Sequence, residues 1–262
     1  MAIQPRPQAP PPADGFRSSK QQERLQALIG SMRVEWVTYL IIAANVAVFV
    51  AMVAGGASLL LPEGSIVVAW GGNSGLHVAA GQWWRLFSSV FLHFGILHLG
   101  VNMYVLRSAG PTAERLFGHA GFLVAYAFAG FTGSLASYLW RGATNYVAAG
   151  ASGAIFGVVG LLLAFVLRRR QLMPQGVWLQ LRTSLIGFIL INVALGFSLG
   201  FIDQAGHLGG LAGGFLAGLI FVPNVDDRTM RVVRPWYLYP IPVLITAAVC
   251  AYLAYGGLPF SL

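Results

Sequence analysis

Residues 147–167 read VAAGASGAIFGVVGLLLAFVL, a run without one charged side chain. Its length matches the roughly 20 residues a helix needs to cross the hydrocarbon core of a bilayer. Six further stretches have the same character: 37–56, 86–106, 119–140, 183–200, 204–222 and 237–256, all free of Asp, Glu, Lys and Arg. Composition agrees. Hydrophobic residues make up 57% of the 262 and charged residues 9%, where soluble domains carry roughly 25% charged. Sixteen basic and eight acidic side chains cannot cover a water-facing surface of this size, and so apolar a chain is not disordered. The alternation of a transmembrane β-barrel is missing, which leaves an all-α membrane protein with seven spans. The single cysteine, Cys250, permits no internal disulfide and no all-cysteine metal site.

Residues 1–36 are polar, with Pro5, Pro7 and Pro10 to Pro12, and lack the pattern of a cleavable signal peptide. Within them, Gln21 to Met32 forms a short amphipathic stretch suited to a membrane surface. The basic residues set an expected orientation. Arg6, Arg17, Lys20, Arg24 and Arg33 precede the first span; Arg107 and Arg115 follow the second. Arg168, Arg169, Arg170 and Arg182 follow the fourth, and Arg228, Arg231 and Arg234 the sixth. With a cytoplasmic N-terminus, only Arg85 and Arg141 fall on the other side. The net charge of +8 is then a topology signal, and nucleic acid is not a partner. The absence of an organelle transit pattern points to a bacterial plasma membrane.

In this orientation the second, fourth and sixth spans start on the outer side, where the chemically interesting residues lie. Ser152 sits in Gly150-Ala151-Ser152-Gly153. Flanking glycines leave a hydroxyl unobstructed, and N–H groups at a helix start favour a developing oxyanion. Taken alone, this tetrapeptide fits a small-residue packing seam better than a nucleophile. His207 lies beside Gly206, Gly210, Gly214 and Gly218, which recur every four residues and allow a close neighbouring helix. From there it can serve a serine on the neighbouring helix as general base; taken alone, it fits equally an interfacial histidine hydrogen-bonded to a loop. His98 and Asn102, four apart, share a helical face and can both donate to an oxyanion. His93 precedes His98 by five residues, about 140° round a continuous helix, so a zinc site from His93, His98 and His207 is geometrically forced and His93 reads as structural. No carboxylate has triad spacing; Asp203, four residues before His207 in a short loop, suits a solvated or a capping role. The spans hold neither the aspartate pair of an aspartyl intramembrane protease nor an H-E-x-x-H helix.

In combination these motifs resemble the rhomboid intramembrane serine proteases, over residues from about 37 to 222. Trp83-Trp84-Arg85 resembles the family's W-R motif. His93, His98 and Asn102 match H-x4-H-x3-N, and Glu114 between Gly110 and Gly118 matches G-x3-E-x3-G. Gly150 to Gly153 matches G-x-S-G, and His207 with its glycines matches the sixth-helix motif. The resemblance implies a six-helix bundle plus one extra C-terminal transmembrane helix, organised as an N-terminal segment 1–36, a catalytic core 37–222 with outer loop 57–85, and a linker and seventh helix 223–262. It implies Ser152 as nucleophile, His207 as general base and acid, and His98 and Asn102 as oxyanion partners with the Ser152 N–H. Trp84, Arg85, His93 and Glu114 would be structural. Phe156 stands where many members have a tyrosine packed on the histidine. Substrates would be single-span membrane proteins cut near the outer membrane face, with no cofactor and no metal. Two competing readings are an inactive relative that binds membrane clients, and a small transporter. The first lacks a reason for keeping both Ser152 and His207, and the second leaves the four-residue set unexplained.

Overall fold

The structure is a computed structural model that describes residues 13–30, 34–199, 202–226 and 228–255. Eleven helices dominate the described residues: α1 (Ala13–Gly30), α2 (Trp36–Ala54), α3 (Gly64–Ala69), α4 (Gly75–Ala79), α5 (Arg85–Ser88), α6 (Ile96–Phe117), α7 (His119–Arg141), α8 (Ser152–Arg168), α9 (Gln175–Ser198), α10 (Gln204–Phe221) and α11 (Pro240–Ala254). Two antiparallel pairs of two-residue strands tie loops together, β1 (Asn73–Ser74) with β2 (Val147–Ala148) and β3 (Asn224–Val225) with β4 (Val232–Val233). The proline-rich start at 5–12 and the last two residues of the amphipathic stretch, Ser31 and Met32, lie outside the described residues. The remainder of the expected amphipathic stretch belongs to α1, whose Leu25 packs on the main core cluster.

The chain is an all-helical membrane protein. The helices over 36–54, 119–141, 175–198, 204–221 and 236–254 are each long and apolar enough to cross a bilayer, and α8 is a shorter apolar helix. The second expected span, 86–106, is not one helix. A short run at Arg85–Phe91 meets α6 at a bend of 91°. The hinge is Gly95, at φ +99, against which the Leu60 carbonyl packs so closely that a Cβ has no room. Ile96 N donates to Leu59 O at 2.9 Å, which docks the first loop on the break. The other edges shift as well: 147–148 is strand rather than helix, and α9 starts at Gln175, so Arg182 lies inside it.

The centre of the bundle is α10, set against α8 and α7. With lipid as apolar as leucine, helices associate where small residues admit close backbone contact. A Cβ on Gly210 would strike the Gly153 carbonyl and lie 3.0 Å from its Cα; one on Gly214 would strike the same atoms of Gly157. Gly218 meets Leu161 and Ala164 in the same way. A second glycine face, unforeseen from the four-residue repeat, turns to α7: Gly209 abuts Ala136 and Thr132, and Gly213 abuts Thr132.

At the far end of the bundle, Glu114 is fully buried and accepts from Val37 N (3.0 Å), Thr38 N (2.8 Å) and Thr38 Oγ1 (2.6 Å). It thereby satisfies two of the free N–H groups that begin α2, those of Val37 and Thr38. Arg234 caps the other end of the chain's second span, donating from Nε to Leu116 O at 3.1 Å and from a terminal nitrogen to Arg115 O at 2.8 Å. Tyr239 adds a bond to Phe117 O at 3.0 Å. These contacts fasten the segment that leads into α11, whose Cys250 is buried with Val78, Leu86, Phe131 and Tyr138.

Candidate active site

Ser152 is the first residue of α8 and His207 lies in the first turn of α10. The glycine contacts between those helices leave the two side chains facing one another, with Ser152 Oγ 2.9 Å from His207 Nε2. Asp203 caps α10, its carboxylate accepting from Gly206 N at 3.2 Å, which fixes the helix start four residues before the histidine. Phe156, one turn along α8, stacks on the His207 ring with centroids 4.3 Å apart and planes within 13°. That leaves the imidazole two edges, one toward Ser152 and one, Nδ1, without a hydrogen-bond partner among the described residues.

Opposite the serine stands His98. Its Nδ1 accepts from the Phe94 backbone N–H at 3.3 Å, so in the neutral ring the proton is on Nε2. Gly150, at φ +133, leaves the space into which that nitrogen looks: a Cβ there would lie 2.9 Å from His98 Nε2 and 3.8 Å from Ser152 Oγ. A group in this space would therefore touch an N–H donor and the serine oxygen together. Asn102 is buried one turn along α6, its amide donating to His98 O at 2.9 Å. It is joined to His98, and no described contact joins it to Ser152.

The bend before α6 alters the reading of His93. Because 92–95 is not helical, the 140° separation of a continuous helix does not apply, and the His93 and His98 rings sit edge to face with centroids 5.1 Å apart. His93 is fully buried and its Nε2 accepts from Ala151 N at 3.5 Å. Gly150 N donates to Ser89 O at 2.9 Å. Together these two bonds hold the 150–151 turn that aims Ser152. Among the described residues no cluster of three or more His, Cys, Asp or Glu has metal-binding geometry.

The loop motif lies further out. Arg85 donates to Val68 O (2.6 Å), Gly72 O (3.1 Å) and Gln82 Oε1 (2.7 Å), while its guanidinium covers the Trp84 ring at 4.8 Å. It binds the turn 68–72 to the start of α5. A cavity of about 40 Å³ opens beside the serine and histidine, lined in part by Asn73, Ser89, Ser134 and Asp203. Ser89 and Ser134 face each other there at 3.2 Å. Nothing in the sequence distinguishes these two hydroxyls from the many that bond their own helix. Tyr146, in the loop before α8, donates to Asn73 Oδ1 at 3.3 Å, and burial above all pushes its phenol upward from the ordinary value, which keeps it a neutral donor.

A family model described as "Rhomboid domain" matches residues 80–224. "Rhomboid protease GluP" of Bacillus subtilis is 35% identical over 238 residues, 90% of this chain and 44% of that protein. "Putative rhomboid protease YdcA" of the same organism is 37% identical over 153 residues, covering 58% of this chain and 74% of its own length. "Rhomboid-like protease 1" of Toxoplasma gondii is 33% identical over 185 residues, 68% of this chain and 59% of its own. The chain thus spans less than half of GluP.

Proposed function

The chain belongs to the rhomboid family, and on that footing we propose that it is an intramembrane serine endopeptidase that cuts single-span membrane proteins by a Ser152–His207 dyad. The observation that carries this is the 2.9 Å approach of Ser152 Oγ to His207 Nε2, made by two helices held at backbone contact. In the first half-reaction, Ser152 Oγ bonds to the scissile carbonyl carbon while His207 Nε2 takes its proton. The same proton then passes to the departing amide nitrogen, leaving an acyl-serine. In the second half, His207 takes a proton from water as it attacks the ester, and returns that proton to Ser152. The cavity beside the dyad, about 40 Å³, is large enough for a water, which needs roughly 10–15 Å³ of such space.

Charge on the carbonyl oxygen is met by His98 Nε2–H and by the Ser152 backbone N–H at the start of α8. Asn102 has one amide hydrogen committed to His98 O, so its share is the smaller, through its other hydrogen and through the placing of His98. Phe156 keeps the imidazole plane and gives up only the hydroxyl of a tyrosine. His93 and the Trp84–Arg85 pair hold the turns around the site, and Glu114 the opposite end. In this reading residues 37–222 are the catalytic core and 223–262 a linker and seventh span, whose described helix α11 packs on the core through Cys250.

Fourteen basic residues against two set the arginine-rich end in the cytoplasm and the dyad near the outer face. The membrane of this reading is a bacterial plasma membrane, in keeping with the similarity to two Bacillus subtilis proteins. A substrate helix protects its own carbonyls by internal hydrogen bonds, so cleavage falls where small or helix-breaking residues let a segment unwind. Purified protein incubated with a labelled single-span substrate, beside a Ser152→Ala control, tests the reading. Two fragments from the wild type and none from the control are expected; equal cleavage by both removes the dyad.

A further inference from the structure

The turn between α8 and α9 gathers charge that the protease reading does not use. Arg168 ends α8, Arg169 and Arg170 follow it, and Arg182 lies on the first turns of α9. Trp178 stands between them. Its Nε1 donates to Val166 O at 3.0 Å and its ring packs on the main core cluster, so the indole is a fixed platform. The Arg170 guanidinium carbon lies 4.6 Å from the Trp178 ring centroid and that of Arg182 4.5 Å. The two cations are therefore no farther apart than those two distances together. Arg169 is tied back by its Nε to Pro223 O at 2.8 Å, and burial followed by the neighbouring Arg168 charge pushes it downward. The ion pairs of the described residues, Arg115 with Glu35 and His119 with Glu114, involve none of these four arginines.

Like charges drawn together without a carboxylate leave a positive site that an anion completes. Stacking uses a guanidinium's face and leaves its in-plane N–H groups free for a forked acceptor. Arg182 has a buried Nε with no hydrogen-bond partner, a donor that the fold itself does not satisfy. The acceptor that suits two guanidiniums is a phosphate group, whose oxygens take paired N–H bonds. The surroundings choose its source. Leu167, Leu179 and Leu181 are exposed next to the arginines in the chain, apolar surface that a free ion does not need and acyl chains do. We propose that Arg170 and Arg182 on the Trp178 platform, with Arg168 beside them, bind the phosphodiester of an anionic phospholipid at this face of the membrane. A zwitterionic headgroup is disfavoured because its own cation would meet the remaining arginines.

The test is native mass spectrometry of the full-length protein in detergent, with added phosphatidylglycerol, phosphatidylcholine of the same chains, or inorganic phosphate. Wild type should retain phosphatidylglycerol over phosphatidylcholine by about thirtyfold, two arginines being at stake. The double variant Arg170→Gln/Arg182→Gln should fall to the phosphatidylcholine level. Arg228→Gln/Arg231→Gln, which removes the same charge from the loop before α11, should behave as wild type. Unchanged retention by the first variant overturns the site, and an equal loss in the second reduces it to a diffuse field. Millimolar phosphate that displaces the lipid completely assigns the site to a free ion and overturns the lipid. Melting temperatures report folding. If the glutamine variant unfolds, Arg170→Lys/Arg182→Lys keeps the charge without the fork, and wild-type retention there would overturn the paired-donor geometry.

Discussion

Helix α9 is more apolar than α10, with mean hydropathy 1.6 against 1.2, yet it attaches to the molecule far more loosely than the pair α8 and α10 that flanks it in the chain. Helix α10 meets its neighbours through glycines on two faces, and 39% of its apolar window is buried; for α9 the figure is 6%. Gly196 is the one buried residue of α9, where the Gln204 side chain fills the notch and donates to Val193 O at 2.8 Å. Gly187, at the middle of α9, faces open space. In lipid, greasy surface alone gives no reason for two helices to touch, and backbone contact through small residues does. Ser152 and His207 are therefore carried by the rigid pair, and α9 comes near them through Phe188, whose ring lies 5.6 Å from that of Phe156, and through the Gln204 contact at the start of α10.

The sharpest way to separate chemistry from packing is to remove the nucleophile without touching the seam. Ser152→Ala and His207→Ala should each lower turnover by on the order of 10⁴-fold or more, with melting temperature near that of wild type. Turnover above background in Ser152→Ala would defeat the mechanism.

Breaking the seam should cost both properties together. Gly210→Ala and Gly214→Ala add a Cβ against the backbone of α8, which cannot rotate away, so destabilisation of about 1–3 kcal/mol and loss of most activity are expected. Gly187→Ala, the matched change in α9, should be neutral or stabilising by up to about 1 kcal/mol. Thermal melts in one detergent compare the three. A Gly210→Ala protein as stable as Gly187→Ala would show that the seam does not hold the pair.

Within the site, His98→Ala should lower kcat by roughly 10²–10³-fold with little change in KM. Asn102→Ala should act more weakly on kcat and mainly on melting, on the order of 1 kcal/mol. A larger kcat loss for Asn102→Ala than for His98→Ala would reverse their assigned shares. The smallest effects belong to the aromatic contact with α9. Removing one ring partner is worth about 0.5–1.5 kcal/mol, so Phe188→Ala should lower kcat/KM by less than about tenfold. Phe156→Ala, which frees the imidazole plane, should lower it more. The reverse order would mean that α9, rather than α8, orients His207.

Much of this molecule was readable along the chain. Transfer into lipid is a local and additive property, so a window of uncharged residues announces a helix whatever it later packs against, and each of the seven apolar stretches contains one. The motif spacing around Ser152, His98 and His207 identified the family for the same reason, since each lies within one short segment. What escaped was relational. Hydropathy runs unbroken through 86–106, yet a positive φ at Gly95 and the Leu60 carbonyl turn the chain by 91° there. That bend, invisible to any helical wheel, brings His93 beside His98. The four-residue repeat exposed one glycine face of α10, whereas Gly209 and Gly213 acquire meaning only once α7 lies against them. Glu114 bonds residues 37 and 38, far back in the chain, and Arg234 closes a helix that ended at Phe117. Which side chains meet depends on where whole helices come to rest, and that is decided by backbone contacts summed over the bundle, not by any segment alone.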